Sequence, residues 1–412
     1  MQIDIANKIH FSLTWETMVK VLVGCVWASM LLTYFKGIFN HLPLLGEYSE
    51  QMLYMVMGVP AILALPALVN KFCLADYLFY VLLVLYYLSC YLFFPENTAY
   101  LTEHAFLCLC CVFPYYFVGR VIDIEALFNM LVVLSTVCIA MDLFYFLAYA
   151  PGNKNMDEVA GSDNMFAAYQ ALPHVTMLLW ATLEKFRVWK AVVFVLGVLF
   201  LLSCGTRGPL VCLGFFGLVY FFFYMNFKGA VYVKIGIIGL GVLVLAFLRD
   251  IALFLYQTFT ELQLSTRIIE KFIIGDLGND SFRSVLREKI YSVLDNGNHF
   301  WGLGLFGCKN YGVVYPHFLP LDLACTFGYM TGYTLLILLF LLIGWSLWIT
   351  KGKRVQLLII MLFSIAIVKL LMTGSFANEP YLYMLIGVCV REVVFTNPTD
   401  RIKKKEATVP LS

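Results

Sequence analysis

The sequence predicts an all-α, polytopic integral membrane protein of about twelve transmembrane helices with one large extracytoplasmic loop. Three observations carry that prediction. The chain is 62% hydrophobic and 17% aromatic but only 13% charged, whereas a soluble domain is roughly half apolar and a quarter charged. Its apolar runs are continuous rather than alternating, and because a bilayer supplies no water to unpaired backbone groups, such runs cross it as helices. Its basic residues also fall unevenly between alternate loops, as the retention of Lys and Arg on the cytoplasmic side requires.

A helix needs about 20 apolar residues to span the hydrocarbon. Runs of that kind cover Thr17–Phe35, Gln51–Val69, Ala75–Phe94, Glu103–Val118, Ala126–Ala148, Met165–Leu183, Val188–Leu202, Pro209–Met225, Val231–Leu248, Ala324–Ile349, Val355–Met372 and Tyr381–Phe395. The opening MQIDIANKIHFSLTWETMVK has no basic stretch leading into an apolar core and no small-residue cleavage site. It reads as an interfacial lead-in, and no signal peptide is expected. With the N-terminus inside, Lys71, Arg120, Lys185, Lys190, Lys228, Lys353 and Arg391 lie at inner segments or helix ends, against Lys36, Lys154 and Arg207 in the short outer loops. That bias places both termini in the cytoplasm.

Three regions follow. Residues 1–248 form an N-terminal bundle of about nine helices, residues 249–323 a large outer loop, and residues 324–412 the C-terminal helices with a basic cytoplasmic tail. A net charge of +2 leaves no footprint for nucleic acid, and the tail RIKKK serves as a topology anchor near anionic lipid. Twelve cysteines fall mostly inside the spans. Cys108, Cys110 and Cys111 have no neighbouring ligands that would complete a metal site and read as small buried hydrophobes. Cys204, Cys308 and Cys325 lie on or near the outer face, where pairing is open. No repeat of fixed period and no paired, Gly/Pro-broken short helices mark the chain as an inverted-repeat transporter.

Long loops in compact folds are usually functional, and the loop after Arg249 contains a legible helix. Asp280 or Ser281 is its N-cap, Phe282, Leu286, Ile290 and Leu294 form one apolar stripe, and DNGN stops it. Arg283 and Arg287, four residues apart, share a face beside that stripe. On an arbitrary helix they would be a solvated face with Glu288 and Lys289. Arg207 is less easily set aside: it sits in SCGTRGPL, a tight outer link where a short loop disfavours basic residues. Three arginines on one face of a membrane point to an anion, and their planar forks suit phosphate better than lysine does.

HFWGLGLFG spells G-x-G-x-x-G at Gly302, Gly304 and Gly307, but no strand precedes it, so the glycines serve a tight turn and not a dinucleotide. His299, beside Trp301, reads as interfacial; His10, His41, His104 and His174 are isolated. His317 stands in YPHFLPLD, between Pro316 and Pro320 and five residues before Asp322. Asp157 and Asp163 read as solvated, and no paired-carboxylate motif for a metal is evident in the outer loops.

In order, TRG at Thr206–Gly208, SFRSVLREKI at Ser281–Ile290, GLGLFG at Gly302–Gly307, and PHFLPLD followed by Phe327–Gly328 resemble the motifs of the O-antigen ligase and O-antigen (capsular polysaccharide) polymerase superfamily. The resemblance covers roughly the second half of the chain and rests on the ordered set. Phe318 stands where that superfamily usually has Asn or another small polar residue, and Gly332 follows Gly328 by four residues where ligases favour three. This spacing, Asp322 and the late outer turn TGSFANEPYLYMLIG look more like the repeat-unit polymerases.

The resemblance implies a GT-C-like glycosyltransferase of the bacterial inner membrane that joins glycans carried on undecaprenyl pyrophosphate. An acceptor hydroxyl would attack the donor's anomeric carbon, inverting it, and lipid pyrophosphate would leave. Arg207, Arg283 and Arg287 are the candidates to hold the pyrophosphate, whose charge grows as it departs. His317 is the candidate base, with Asp322 orienting it or the acceptor. No metal and no cofactor is expected. The implied partners are the lipid-linked oligosaccharide, membrane lipid, and flippase and chain-length regulator proteins. A ligase passing glycan to lipid A core is the alternative within this chemistry, and a flippase or other transporter the alternative outside it. A transporter would place its charges along a central path rather than in a one-sided loop.

Overall fold

The structure, a computed structural model, describes residues 2–5, 9–12, 15–28, 72–149, 156–225, 231–232, 234–236, 248–261, 266–274 and 283–395. It is that of an all-α membrane protein. The exception is a short antiparallel hairpin, β1 (Gln2–Ile5) with β2 (Ile9–Ser12), in the stretch expected to be the lead-in. Among the described residues five helices are long and apolar enough to cross a membrane: Leu74–Phe93, Pro95–Val121, Ile124–Phe144, Arg207–Tyr224 and Tyr329–Ile349, with Val188–Ser203 a shorter apolar one. The predicted span Gln51–Val69, most of Val231–Leu248 and the proposed N-cap at Asp280 or Ser281 lie outside the described residues.

Packing groups the chain into two compact units. One contains Met1–Pro66 and Ala126–Asp280, the other Ala67–Glu125 and Ser281–Ser412.

In the first unit α1 is Trp15–Trp27, and most of α5 (Ile124–Tyr149), α6 (Met156–Glu184), α7 (Val188–Ser203) and α8 (Arg207–Val219) belong to it. The helix α6 starts nine residues before the predicted span and runs through Pro173. His174, next to that proline, is fully buried. Its Nδ1 lies 3.4 Å from Ser135 Oγ, which also accepts Trp27 Nε1 at 2.9 Å. Two helices fall in what the sequence marks as loop, α9 (Leu248–Glu261) and α10 (Arg267–Ile274). They bury Ala252 and Ile269 against Leu202, Leu255, Tyr256 and Ile273. Their apolar stripes are too short to read as spans and are interrupted by charges, so hydropathy alone misses them.

The second unit holds α2 (Leu74–Phe93), α3 (Thr98–Phe106), α4 (Tyr115–Val121), α11 (Arg283–Val293), α12 (Leu319–Phe327), α13 (Tyr329–Ile349), α14 (Lys353–Leu362) and α15 (Pro380–Val390). Asp76 caps the first turn of α2 by accepting Cys73 N at 3.1 Å. The same buried carboxylate takes Arg120 Nε at 2.6 Å, Arg120 Nη2 at 3.1 Å and Tyr116 OH at 2.7 Å. A buried charge pair is tolerable only when its lone pairs are used in this way. Helices α4 and α15 touch backbone to backbone. A Cβ at Gly119 would come within 2.1 Å of Met384 O, and one at Gly387 within 2.1 Å of Tyr116 O. Small residues permit that approach between apolar helices.

The predicted span Ala324–Ile349 is broken at Gly328, so the long apolar helix starts at Tyr329 and residues 319–327 form a separate helix. Gly328 has φ 80° and a Cβ there would lie 2.0 Å from Phe300 O, while Tyr329 N donates to His299 O at 2.8 Å. Gly302, with φ 72°, meets the other side of this junction: its Cβ would be 2.5 Å from Gly328 N. The glycine-rich stretch is therefore a turn folded onto a helix break, which any side chain at these two positions would force apart.

Candidate functional site

The helix α11 follows the predicted stripe. Ile290 and Leu294 are fully buried and Leu286 packs beside them, in one cluster with Leu303, Cys308, Leu321, Ala324 and Cys325. The helix ends where Gly297 takes φ 120°. Burying that stripe fixes the rotation of the helix, and Arg283 and Arg287 are consequently held at the side of the cluster, close to His317.

His317 adopts φ 58°, a left-handed conformation that no glycine here relieves. For a residue with a Cβ this strain costs about 1–3 kcal/mol, and such residues gather at functional sites. Pro316 before it and the first turn of α12 after it confine the backbone. The imidazole is half-buried, with the Tyr315 ring 4.3 Å away between centroids and Thr373 Oγ1 3.5 Å from Nδ1. Burial, and then the charges of Arg283 and Arg287, push its pKa down from 6.5 to about 4. An isolated histidine titrates near neutrality; this one is a neutral imidazole throughout the physiological range.

The two arginines are secured differently. Arg283 Nη1 donates to Met372 O at 3.0 Å. The guanidinium carbon of Arg287 lies 5.9 Å from the centre of the Phe318 ring, a cation–π arrangement. Phe318 thus supplies a face for Arg287.

Asp322 is buried in α12, where its Oδ2 accepts Phe376 N at 2.9 Å and the Ser375 hydroxyl donates to the carboxylate. Burial raises its pKa from 3.8 to about 6 against these two hydrogen bonds. Asp322 therefore acts on the segment that follows α14. That segment carries Met372, which binds Arg283, and Thr373, which meets His317. Asp322 and His317 thus both contact the stretch 372–376.

The sequence reading singled out the turn TGSFANEPYLYMLIG, which begins at Thr373, but missed the contacts it makes and the ion pair at its ends. Lys369 Nζ pairs with Glu379 Oε2, and Glu379 is 2% exposed with its Oε1 buried and without a hydrogen bond among the described residues. Burial raises the Glu379 carboxyl above the usual range, opposed by Lys369. Lys369 was hidden inside the predicted span Val355–Met372. A lone lysine in an apolar run, with a glutamate ten residues on, was the available signal, since charges at membrane depth are paired or functional.

Arg283, Arg287, His317 and Asp322 all belong to the second unit. Arg207 belongs to the first, where it opens α8 just after Thr206. A cation at the positive end of a helix dipole is disfavoured unless an anion offsets it. Among the described residues no group of three or more His, Cys, Asp or Glu is placed to hold a metal ion. Comparison with protein-family models, with curated proteins and with solved structures finds no match for this chain.

Proposed function

We propose that the protein is a polymerase that joins undecaprenyl-pyrophosphate-linked oligosaccharide repeat units at the outer face of the bacterial cytoplasmic membrane. The observation that carries this reading is the approach of Arg283 and Arg287 to one neutral, strained imidazole, His317.

Two fixed guanidinium groups beside a half-buried base suit a reaction in which an anion departs as a hydroxyl loses its proton. In this reading the acceptor oxygen attacks the anomeric carbon as the bond from that carbon to the pyrophosphate oxygen breaks, and the proton passes to His317. Arg283 and Arg287 bind the departing pyrophosphate. A pyrophosphate placed on Arg283 and Arg287 would also cancel the charges that depress His317. The imidazole then becomes a stronger base only when donor is bound. Asp322 and Thr373 position that imidazole.

Deleting the gene tests the proposal. Cells should retain single repeat units on their surface glycan and lose long chains, so that a gel shows a one-unit band. Long lipid-linked chains with no capped product would favour the ligase instead, and an unchanged glycan profile would remove both readings.

A further inference from the structure

We infer that Asp295, Tyr329, Tyr333 and Trp301 form a saccharide-binding ridge that receives the oligosaccharide of a lipid-linked substrate. The inference rests on the polymerase reading, which supplies the substrate class, and adds to it the surface along which the sugars lie.

The ridge begins on the helix that carries the two arginines. Arg283, Arg287, Tyr291 and Asp295 recur every four residues, so they wind along α11 beside the buried stripe of Leu286, Ile290 and Leu294. Helical backbone continues past Val293 to Asp295 and breaks at Asn296. Asp295 therefore stands about 12 Å beyond Arg287, at the rise of an α-helix. Its exposed carboxylate meets α13, where Tyr329 OH donates to Asp295 Oδ1 at 3.0 Å. Tyr329 and Tyr333 stack one turn apart, their ring centres separated by 5.9 Å and their planes 13° from parallel, and Tyr333 is 38% exposed. On the backbone side of Tyr329, His299 O accepts its amide at 2.8 Å and Phe300 O packs against Gly328. Trp301 thus projects from a fixed junction, 76% exposed, with its ring edge-on to that of Phe300 at 4.9 Å.

These groups match what a sugar offers. Aromatic faces are electronegative and attract the weakly positive C–H face of a sugar ring, and hydroxyls bond a carboxylate more strongly than a neutral acceptor. Among the described residues Tyr329 binds one oxygen of Asp295 and leaves the other for such hydroxyls. Aromatic rings at the end of a spanning helix also anchor it at the bilayer interface. An anchor gains nothing from Asp295, however, because anionic headgroups repel a carboxylate. The ridge continues the stripe that starts at the arginines, so a donor with its pyrophosphate on Arg283 and Arg287 can lay its sugars toward Asp295 and the tyrosines.

The probe that tests this is the cell's own surface glycan, cut to single repeat units by mild acid and freed of lipid. Its binding to the purified full-length protein in detergent is titrated by saturation-transfer NMR for wild type, Asp295→Asn, Tyr333→Ala and Arg283→Ala. Asn still accepts the Tyr329 hydroxyl, so Asp295→Asn should keep the wild-type unfolding midpoint. Asp295→Asn and Tyr333→Ala should each weaken binding by about tenfold, and Arg283→Ala should leave it unchanged, because the probe carries no pyrophosphate. Wild-type affinity in either ridge variant overturns the inference and leaves the polymerase reading intact, and so does a tenfold loss in Arg283→Ala alone, which would place the sugars at the arginines. A wild type that does not bind the repeat unit also overturns the inference, and the gene deletion then decides separately whether the polymerase reading stands.

Discussion

Asp322 Oδ2 accepts the amide of Phe376 at 2.9 Å, a hydrogen bond that spans 54 residues of sequence. It fixes the segment after α14 against the helix that starts just past His317, and Thr373, three residues before Phe376, reaches the imidazole. The base candidate, its hydroxyl neighbour and the carbonyl that holds Arg283 are thereby set by one buried carboxylate.

That carboxylate should write a pH dependence into stability. Its folded pKa of about 6 lies above the ordinary 3.8, so folding favours the protonated acid. The contribution is full below the lower value and is lost as pH rises through the upper one, by roughly 3 kcal/mol at most. Asp322→Asn keeps an acceptor for Phe376 N without the charge. Thermal unfolding in detergent should show wild-type stability falling across this window and the Asn variant flat. Asp322→Leu, which leaves the amide unpaired, should cost about 1–3 kcal/mol.

For His317 the sign is opposite. Its folded pKa of about 4 lies below the ordinary 6.5, so the stabilising contribution of the neutral imidazole is present above 6.5 and lost as pH falls through 4. The acid limb of kcat/KM, which reports the free enzyme, should sit near the lower value. Arg287→Met should move that limb upward by about one unit. An unmoved limb would dissociate the arginine from the histidine.

Replacing His317 with Ala should slow polymerisation by roughly two to four orders of magnitude while leaving expression and donor binding nearly intact. A residue that only shapes the start of α12 would tolerate Gln. Wild-type chain lengths from purified His317→Gln supplied with lipid-linked repeat units would rule out the base assignment.

Arg283→Ala or Arg287→Ala should weaken retention of lipid pyrophosphate by about tenfold to a hundredfold, the worth of a charge-assisted hydrogen bond. Lys should rescue poorly at either position, because a point charge cannot reproduce a two-pronged contact. Arg283→Ala should also lower the unfolding midpoint, since it removes the bond to Met372 O. Equal binding by wild type and both Ala variants would exclude a pyrophosphate role.

The Lys369–Glu379 pair offers a structural control. Lys369→Met strands a buried carboxylate and should cost about 3–5 kcal/mol, most of it recovered in Lys369→Met with Glu379→Leu. A double-mutant cycle on unfolding midpoints measures the coupling, and additive effects would show that the pair contributes nothing.

The class of the protein was legible in the sequence because a bilayer imposes a length and a composition on every segment that crosses it. The same holds for α11, whose stripe at Leu286, Ile290 and Leu294 is periodic and whose end at DNGN is marked by residues that suit only a turn. Arg283, Arg287, His317 and Asp322 could be singled out because charge and histidine are conspicuous against an apolar background. Their arrangement could not. Nothing local to Asp322 indicates that it takes the Phe376 amide, and nothing local to the outer turn that opens at Thr373 indicates that it meets His317. The break at Gly328 was hidden as well: hydropathy runs on unbroken from Ala324, and only the approach of Phe300 O and Gly302 shows why the helix must restart there. Composition and periodicity are properties of single segments, so sequence expresses them directly. A half-buried imidazole held near two guanidinium groups, beside a segment held by a distant carboxylate, exists only once those segments pack. Its lowered pKa, set by burial and neighbouring charge, was therefore decided by the tertiary structure alone.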